Sequence, residues 1–97
     1  MRRAARVDRN QAEIVEALRK AGATVHITSS AGDGFPDLVV AYQRQTYLLE
    51  VKDGTKPPSE RELTPDQVRF HVEWNGGPCL VVNSVSEALA AIGVENV

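Results

Sequence analysis

Cysteine is almost missing: Cys79 is the only one among 97 residues. That excludes an internal disulfide and a cysteine-based zinc site, and a lone thiol fits a reducing cytosol. No apolar run approaches the roughly 18 residues that a membrane span needs. The start, Met1-Arg2-Arg3-Ala4-Ala5-Arg6, is basic, but Asp8, Arg9 and Asn10 stand where a signal peptide would carry its apolar stretch. A cytoplasmic protein with no membrane partner is expected. Excess charge of one sign is also lacking, with 11 Lys+Arg against 13 Asp+Glu and a formal net charge of −2. A histone-like polycation is therefore excluded. A nucleic-acid enzyme is not, because acidic metal ligands would mask a local basic face. There are no internal repeats and no low-complexity tract. No serine or cysteine nucleophile is paired with a base, and no recognition helix or finger is present to read bases.

What remains is ordinary in bulk. Apolar residues make up 42% and charged residues 25%, as in a globular domain. The length suits one domain, 1–97, with one core.

The chain divides by period and by punctuation. Residues 8–21 read as a helix, capped by Asp8 or Asn10, with Ile14, Ala17, Leu18 and Ala21 at 3.6-residue spacing and Gly22 beyond its end. Residues 23–28 alternate and are rich in β-branched types, as in a strand. After a glycine-containing loop, 37–42 and 46–52 form two more strands. The short polar link at Gln43-Arg44-Gln45 folds them into an antiparallel hairpin. Residues 53–63 read as an exposed loop. Thr64-Pro65-Asp66-Gln67 is a capping box with proline at the first helical position, and it opens a helix to about Trp74. A strand over 79–82 and a helix from Ser84, boxed by Glu87, through Ile92 complete the chain. The order αβββαβα predicts an α/β fold, a four-stranded mixed sheet flanked by helices, with a parallel pair where a helix joins the last two strands.

The charges fall at one end of this sheet. Glu50 and Lys52 are two apart on one strand and share a face, while Val51 turns into the core. Folding the hairpin brings Asp37 beside Glu50. Two carboxylates held among Leu38, Val39, Leu48 and Leu49 would repel and lose solvation. A hard divalent cation, Mg²⁺ or Mn²⁺, relieves both costs through oxygen ligands. His26, His71, Trp74 and Cys79 read as structural residues, and Asp33 as a turn residue beside glycines.

This constellation resembles the PD-(D/E)xK nuclease superfamily. Pro36-Asp37 is followed by Glu50-Val51-Lys52 on a hairpin within αβββαβ order, the restriction-endonuclease-like core. Within it, the chain is most similar to the small stand-alone VRR-NUC domains of phages and bacteria. The similarity is carried by Gly32-Asp33-Gly34-Phe35-Pro36-Asp37-Leu38, Glu50-Val51-Lys52, Leu63-Thr64-Pro65-Asp66-Gln67, Gly77, and Ser84 with Glu87. Its hairpin and first-helix Glu13 also resemble those of archaeal Holliday-junction resolvases.

The resemblance implies roles residue by residue. Asp37 and Glu50 would bind metal, with the Val51 backbone carbonyl as a further ligand and Glu13 joining the shell. Lys52 would position the attacking water and offset charge near the phosphate. Gln67 would lie near the active site. The implied protein is a Mg²⁺- or Mn²⁺-dependent deoxyribonuclease cutting branched DNA such as Holliday junctions, as a homodimer with one site for each strand. The competing expectations are a non-catalytic nucleic-acid-binding module and a restriction-type or general repair endonuclease of the same fold. Arg2, Arg3, Arg6, Arg9, Lys52, Lys56, Arg61 and Arg69 are the candidate phosphate contacts, which give affinity without sequence information.

Overall fold

In the computed structural model, which describes residues 7–94, three helices and four strands follow one another in the order the sequence predicts. Helix α1 spans Gln11–Lys20, strand β1 Thr24–Ile27, β2 Leu38–Tyr42 and β3 Gln45–Val51. Helix α2 covers Pro65–Glu73, β4 Cys79–Val82 and α3 Val85–Ala91. The sheet order is β1-β2-β3-β4. The first two pairings are antiparallel and β3–β4 is parallel, as a helical crossover between β3 and β4 requires.

Alternation along β3 sorts the two faces of the sheet. Leu49 and Val51 join Ile14, Leu18, Leu38, Val40, Val82 and Ile92 in the core under α1 and α3. Leu48 and Glu50 point to the opposite face, where α2 lies. That second layer is thin, since α2 contains no buried residue. The start of α2 is fixed by the capping box, in which Thr64 Oγ1 accepts from the Gln67 amide and Gln67 Oε1 accepts from the Thr64 amide. Phe70 adds an edge-on contact to Phe35, with ring centres 5.2 Å apart, and a stacked contact to Trp74 at 5.4 Å.

Several boundaries differ from the sequence reading, for physical reasons. Helix α1 begins at Gln11 rather than residue 8. Asn10 occupies the cap position without capping, because its side-chain amide is engaged elsewhere. The buried face of α1 is Gln11, Ile14, Val15 and Leu18, not the predicted stripe through Ala17 and Ala21. Buried Gln11 exchanges hydrogen bonds with Ser29 at 3.0 and 3.2 Å, so a polar residue holds a core position. The hairpin turn is two residues long. Gln43 and Arg44 both take left-handed conformations, with φ of 48° and 69°, the geometry of a tight turn that matches strand twist. Within the loop before α2, residues Pro58–Glu60 form one turn of 3-10 helix.

Candidate active site

The β2–β3 register pairs Leu38 with Leu49. Asp37, one residue before β2, therefore lies beside the end of β3. Its Oδ2 accepts a hydrogen bond from the Val51 amide at 2.8 Å, which extends the ladder by one rung with a side chain in place of a carbonyl. Glu50 is 2% exposed. Its Oε2 accepts from Gln67 Nε2 at 3.0 Å and lies 4.0 Å from Lys52 Nζ. Lys52 Nζ in turn donates to Gln67 Oε1 at 3.1 Å. The Gln67 amide thus bridges the carboxylate and the ammonium. Its orientation is fixed because the same Oε1 closes the capping box.

Glu50 Oε1 is buried and has no hydrogen-bond partner. Burial, then the neighbouring Asp37 carboxylate, push the Glu50 carboxyl up to about 8; Lys52 opposes the shift and Asp8 adds to it. Two carboxyl groups in one dry corner cannot both be charged cheaply. An added cation is the chemical remedy, and the unpartnered Oε1 is an oxygen that could meet it.

The helix start is pressed onto this corner. Gly34, with φ of +78°, packs so closely under α2 that a Cβ there would collide with the Asp66 carbonyl. Only glycine satisfies both the left-handed backbone and the close approach.

These groups open into a cavity of about 760 Å³, lined by Asp37, Glu50, Lys52 and Gln67. Six carboxylate residues line it against three cationic ones, Arg9, Lys52 and Lys56. Its walls come from the loop ahead of β2, the segment after β3 and residues 7–9 before α1. Arg69 is an exposed partner of Asp66 at 3.0 Å and does not line the cavity. Arg61 donates to the Lys56 carbonyl at 2.7 Å and is likewise absent from the lining. Arg2, Arg3 and Arg6 lie outside the described residues.

The structure does not bring Glu13 to this site. Its position on α1 is exposed and off the cavity. At about 100° per residue, Glu13 points roughly 150° from the middle of the buried α1 face. Asp8, which the sequence offers only as a helix cap, lines the cavity instead. Among the described residues no three His, Cys, Asp or Glu side chains gather closely enough to hold an ion together. The carboxylates that the strand register sets side by side are the pair Asp37 and Glu50. Such a sparse all-oxygen set fits Mg²⁺, which keeps several waters and takes one or two carboxylates plus substrate phosphates.

The remaining residues take structural positions. His71 Nδ1 meets the Gln67 carbonyl at 2.9 Å. Burial and the charge of Glu50 push the half-buried Cys79 thiol up, which keeps it protonated and unreactive.

A mixed four-stranded sheet flanked by helices, with an acidic pair and a lysine at the end of its central hairpin, defines a restriction-endonuclease-like α/β fold. A solved structure described as a "VRR_NUC domain" is 30% identical in sequence to this chain, with a TM-score of 0.65; the match covers 92% of this chain and 96% of that one. No family model and no curated protein matches the chain. The chain belongs to the VRR-NUC domain family.

Proposed function

We propose that this protein is a divalent-metal-dependent DNA endonuclease that hydrolyses phosphodiester bonds in branched DNA, four-way junctions included. The observation that carries this reading is the buried Glu50 carboxyl with its unpartnered Oε1, set beside half-buried Asp37 and the Lys52 ammonium. VRR-NUC membership adds the expectation of a nuclease acting on DNA.

Asp37, Glu50 and the Val51 carbonyl would hold the ion, because in an extended strand that carbonyl leaves on the same edge as the amide bonded to Asp37. Mg²⁺ or Mn²⁺, when bound, supplies Lewis acidity that polarises a phosphoryl oxygen and acidifies a water. The chain's own groups do the positioning. Gln67 Nε2 occupies Glu50 Oε2, leaving Oε1 as the free donor oxygen. Gln67 Oε1 restrains Lys52 Nζ, so its charge is presented to the cavity in one place. There the ammonium orients the attacking water and offsets the negative charge that grows on the phosphate.

Substrate shape rather than sequence is the expected basis of selection. Arg9, Lys52 and Lys56 offer phosphate contacts at the cavity, and no element is built to enter a groove and read base edges. A homodimer supplies the second site that paired cuts in a junction need. Leu80 and Val81 on edge strand β4, each 38% exposed, and Val72 on α2, 78% exposed, offer apolar surface for such pairing.

The test is a cleavage panel of linear, nicked, flap and four-way DNA with Mg²⁺, Mn²⁺ or EDTA. Asp37→Asn and Lys52→Ala are run beside the wild-type chain. Metal-dependent cleavage of the branched substrates, lost in both variants, is expected. Binding without cleavage in any metal would identify a non-catalytic module. Equal cutting of linear DNA would identify a general or restriction-type endonuclease.

A further inference from the structure

The chain leaves β3 through a turn that is fixed at each step. The Lys52 amide donates to Val82 O at 3.0 Å and the Gly54 amide to Asn83 O at 3.1 Å, so pairing with β4 continues past the end of β3. Gly54 lies so close to Asn83 that a Cβ there would stand 2.7 Å from its carbonyl oxygen. Buried Asp53 then folds the chain back. Its Oδ1 accepts from the Thr55 amide at 2.9 Å and from the Thr55 hydroxyl at 2.7 Å. The Asp53 carbonyl accepts from the Lys56 amide at 3.1 Å, the bond that closes a β-turn. On the other side, the Lys56 carbonyl accepts from Arg61 Nε at 2.7 Å, with the 3-10 turn Pro58–Glu60 bringing Arg61 back within reach. The Lys56 main chain is therefore tied both ahead and behind. Its side chain is not. Lys56 is exposed and lines the cavity that holds Glu50 and Lys52. Among the described residues the ion pairs are Glu50–Lys52 and Asp66–Arg69. The Lys56 ammonium belongs to neither, although Asp53, Glu60 and Glu62 share its loop. An unpaired cation on a preset stem gives up little main-chain freedom when an anion binds.

We propose that Lys56 holds the phosphate next to the scissile one on the cleaved strand, and that Arg61 is the positioning residue that braces Lys56 rather than a DNA contact itself. The inference rests on the reading of this protein as a DNA nuclease. Lys52 immediately precedes, and Lys56 closes, a turn whose ends lie within about 7 Å of each other, a spacing on the scale of one nucleotide step. Lys52 Nζ is engaged by Gln67 beside Glu50 and so belongs at the scissile group. The unpaired Lys56 ammonium is left for its neighbour. Two grips on successive phosphates hold the strand in one direction across the cavity, with the scissile bond over Asp37 and Glu50. Arg61 has its Nε committed to the Lys56 carbonyl and does not line the cavity.

The experiment maps the wild-type cut in a four-way junction with Mg²⁺ or Mn²⁺, then measures junction binding in EDTA by fluorescence anisotropy over a series of KCl concentrations. Junctions carrying a single uncharged methylphosphonate on either side of the mapped cut are compared with unmodified DNA. On unmodified DNA, Lys56→Ala is expected to bind about fivefold more weakly, the scale of one exposed charge pair. Its log–log salt slope should be shallower by about one. Lys20→Ala, which removes the same charge from an exposed position on α1, is expected to match the wild type. At one of the two flanking positions the neutral group should weaken the wild type and leave Lys56→Ala unaffected. Arg61→Ala should lose less affinity than Lys56→Ala. Added to Lys56→Ala it should change neither affinity nor slope further. Wild-type affinity in Lys56→Ala, or equal sensitivity of both proteins to every neutral phosphate, overturns the contact. A double variant that binds more weakly than Lys56→Ala, with a slope shallower by about two, makes Arg61 a contact and overturns the brace. The underlying reading fails separately: a wild-type chain that does not cut the junction removes the nuclease reading and this assignment with it, whereas cutting with Lys56→Ala unchanged in binding removes only the role of Lys56.

Discussion

Asp37 and Val51 are joined side chain to backbone: the Asp37 carboxylate accepts the Val51 amide at 2.8 Å across two adjacent strands. A residue that faces the cavity is thereby also the last rung of the β2–β3 ladder. The bond fixes one carboxylate oxygen of Asp37, and this places that side chain more firmly than strand pairing alone.

This arrangement makes the metal-free protein pH-sensitive. Glu50 titrates near 8 in the fold against an ordinary value of 4.5. Between those values the folded state binds more protons than the unfolded one, so stability falls as pH rises from about 5 to about 8, by on the order of a few kcal/mol. Thermal melts in EDTA should show a falling midpoint across that window. Glu50→Gln should flatten the slope, and millimolar Mg²⁺ should offset the fall at the alkaline end. A midpoint that rises over the same window would contradict the buried Glu50 carboxyl.

Gln67 serves the helix and the site together, and the two services can be separated. Gln67→Glu keeps an acceptor for the Thr64 amide, since glutamate closes the same capping box. It replaces the donor on Glu50 Oε2 with a carboxylate. The expected outcome is near wild-type thermal stability at neutral pH, cleavage reduced about 100-fold or more, and a Glu50 carboxyl pushed further up. Gln67→Ala should lose activity and about 1 kcal/mol of stability together. Melting curves and single-turnover cleavage rates check both variants.

Lys52→Ala should leave the fold intact, since its ammonium is not part of the core, and slow cleavage about 10²–10³-fold. Lys52→Arg should restore little, because a planar guanidinium cannot take the compact ammonium's place between Gln67 and Glu50. Comparable turnover in either variant, measured under saturating DNA, would remove Lys52 from the chemistry.

The hairpin turn predicts a stabilising change. Gln43 and Arg44 both hold positive φ, where residues with a Cβ are strained. Replacing them with Asn-Gly, the pair suited to this turn, should add about 1 kcal/mol. That corresponds to roughly 5 °C in melting midpoint for a chain of this size. Cleavage should be unaffected, as the turn lies at the far end of the hairpin from Asp37 and Glu50.

Much of this was legible in the residues. The β-branched strands, the polar link and the capping box at Thr64 each carry a local signal, and they sufficed for element order and for the meeting of Asp37, Glu50 and Lys52. The face of α1 was not legible, because a buried glutamine satisfied by Ser29 looks polar in sequence. Glu13 entered the expected metal shell through the family resemblance, and its exposed place on α1 does not bear that role out. Asn10 carried an ordinary capping signal, and nothing local reveals that its amide reaches backbone carbonyls 42 and 73 residues away. Asp8 was hidden for the same reason. The turn at Gln43-Arg44 had length but none of the glycine or asparagine chemistry that marks its type.

The contact between Gly34 and the backbone of Asp66 divides the cavity into a wall that can vary and a wall that cannot. Any side chain at position 34 would lever α2 outward and carry Gln67 away from Glu50 and Lys52, so the stretch ahead of β2 has almost no room to drift. The segment between β3 and α2 carries Lys56, Glu60 and Glu62 on exposed positions and is free of that constraint. Divergence in which DNA shapes such domains accept is therefore expected to accumulate in residues 55–62, and engineering of new substrate preferences has its tolerant ground there.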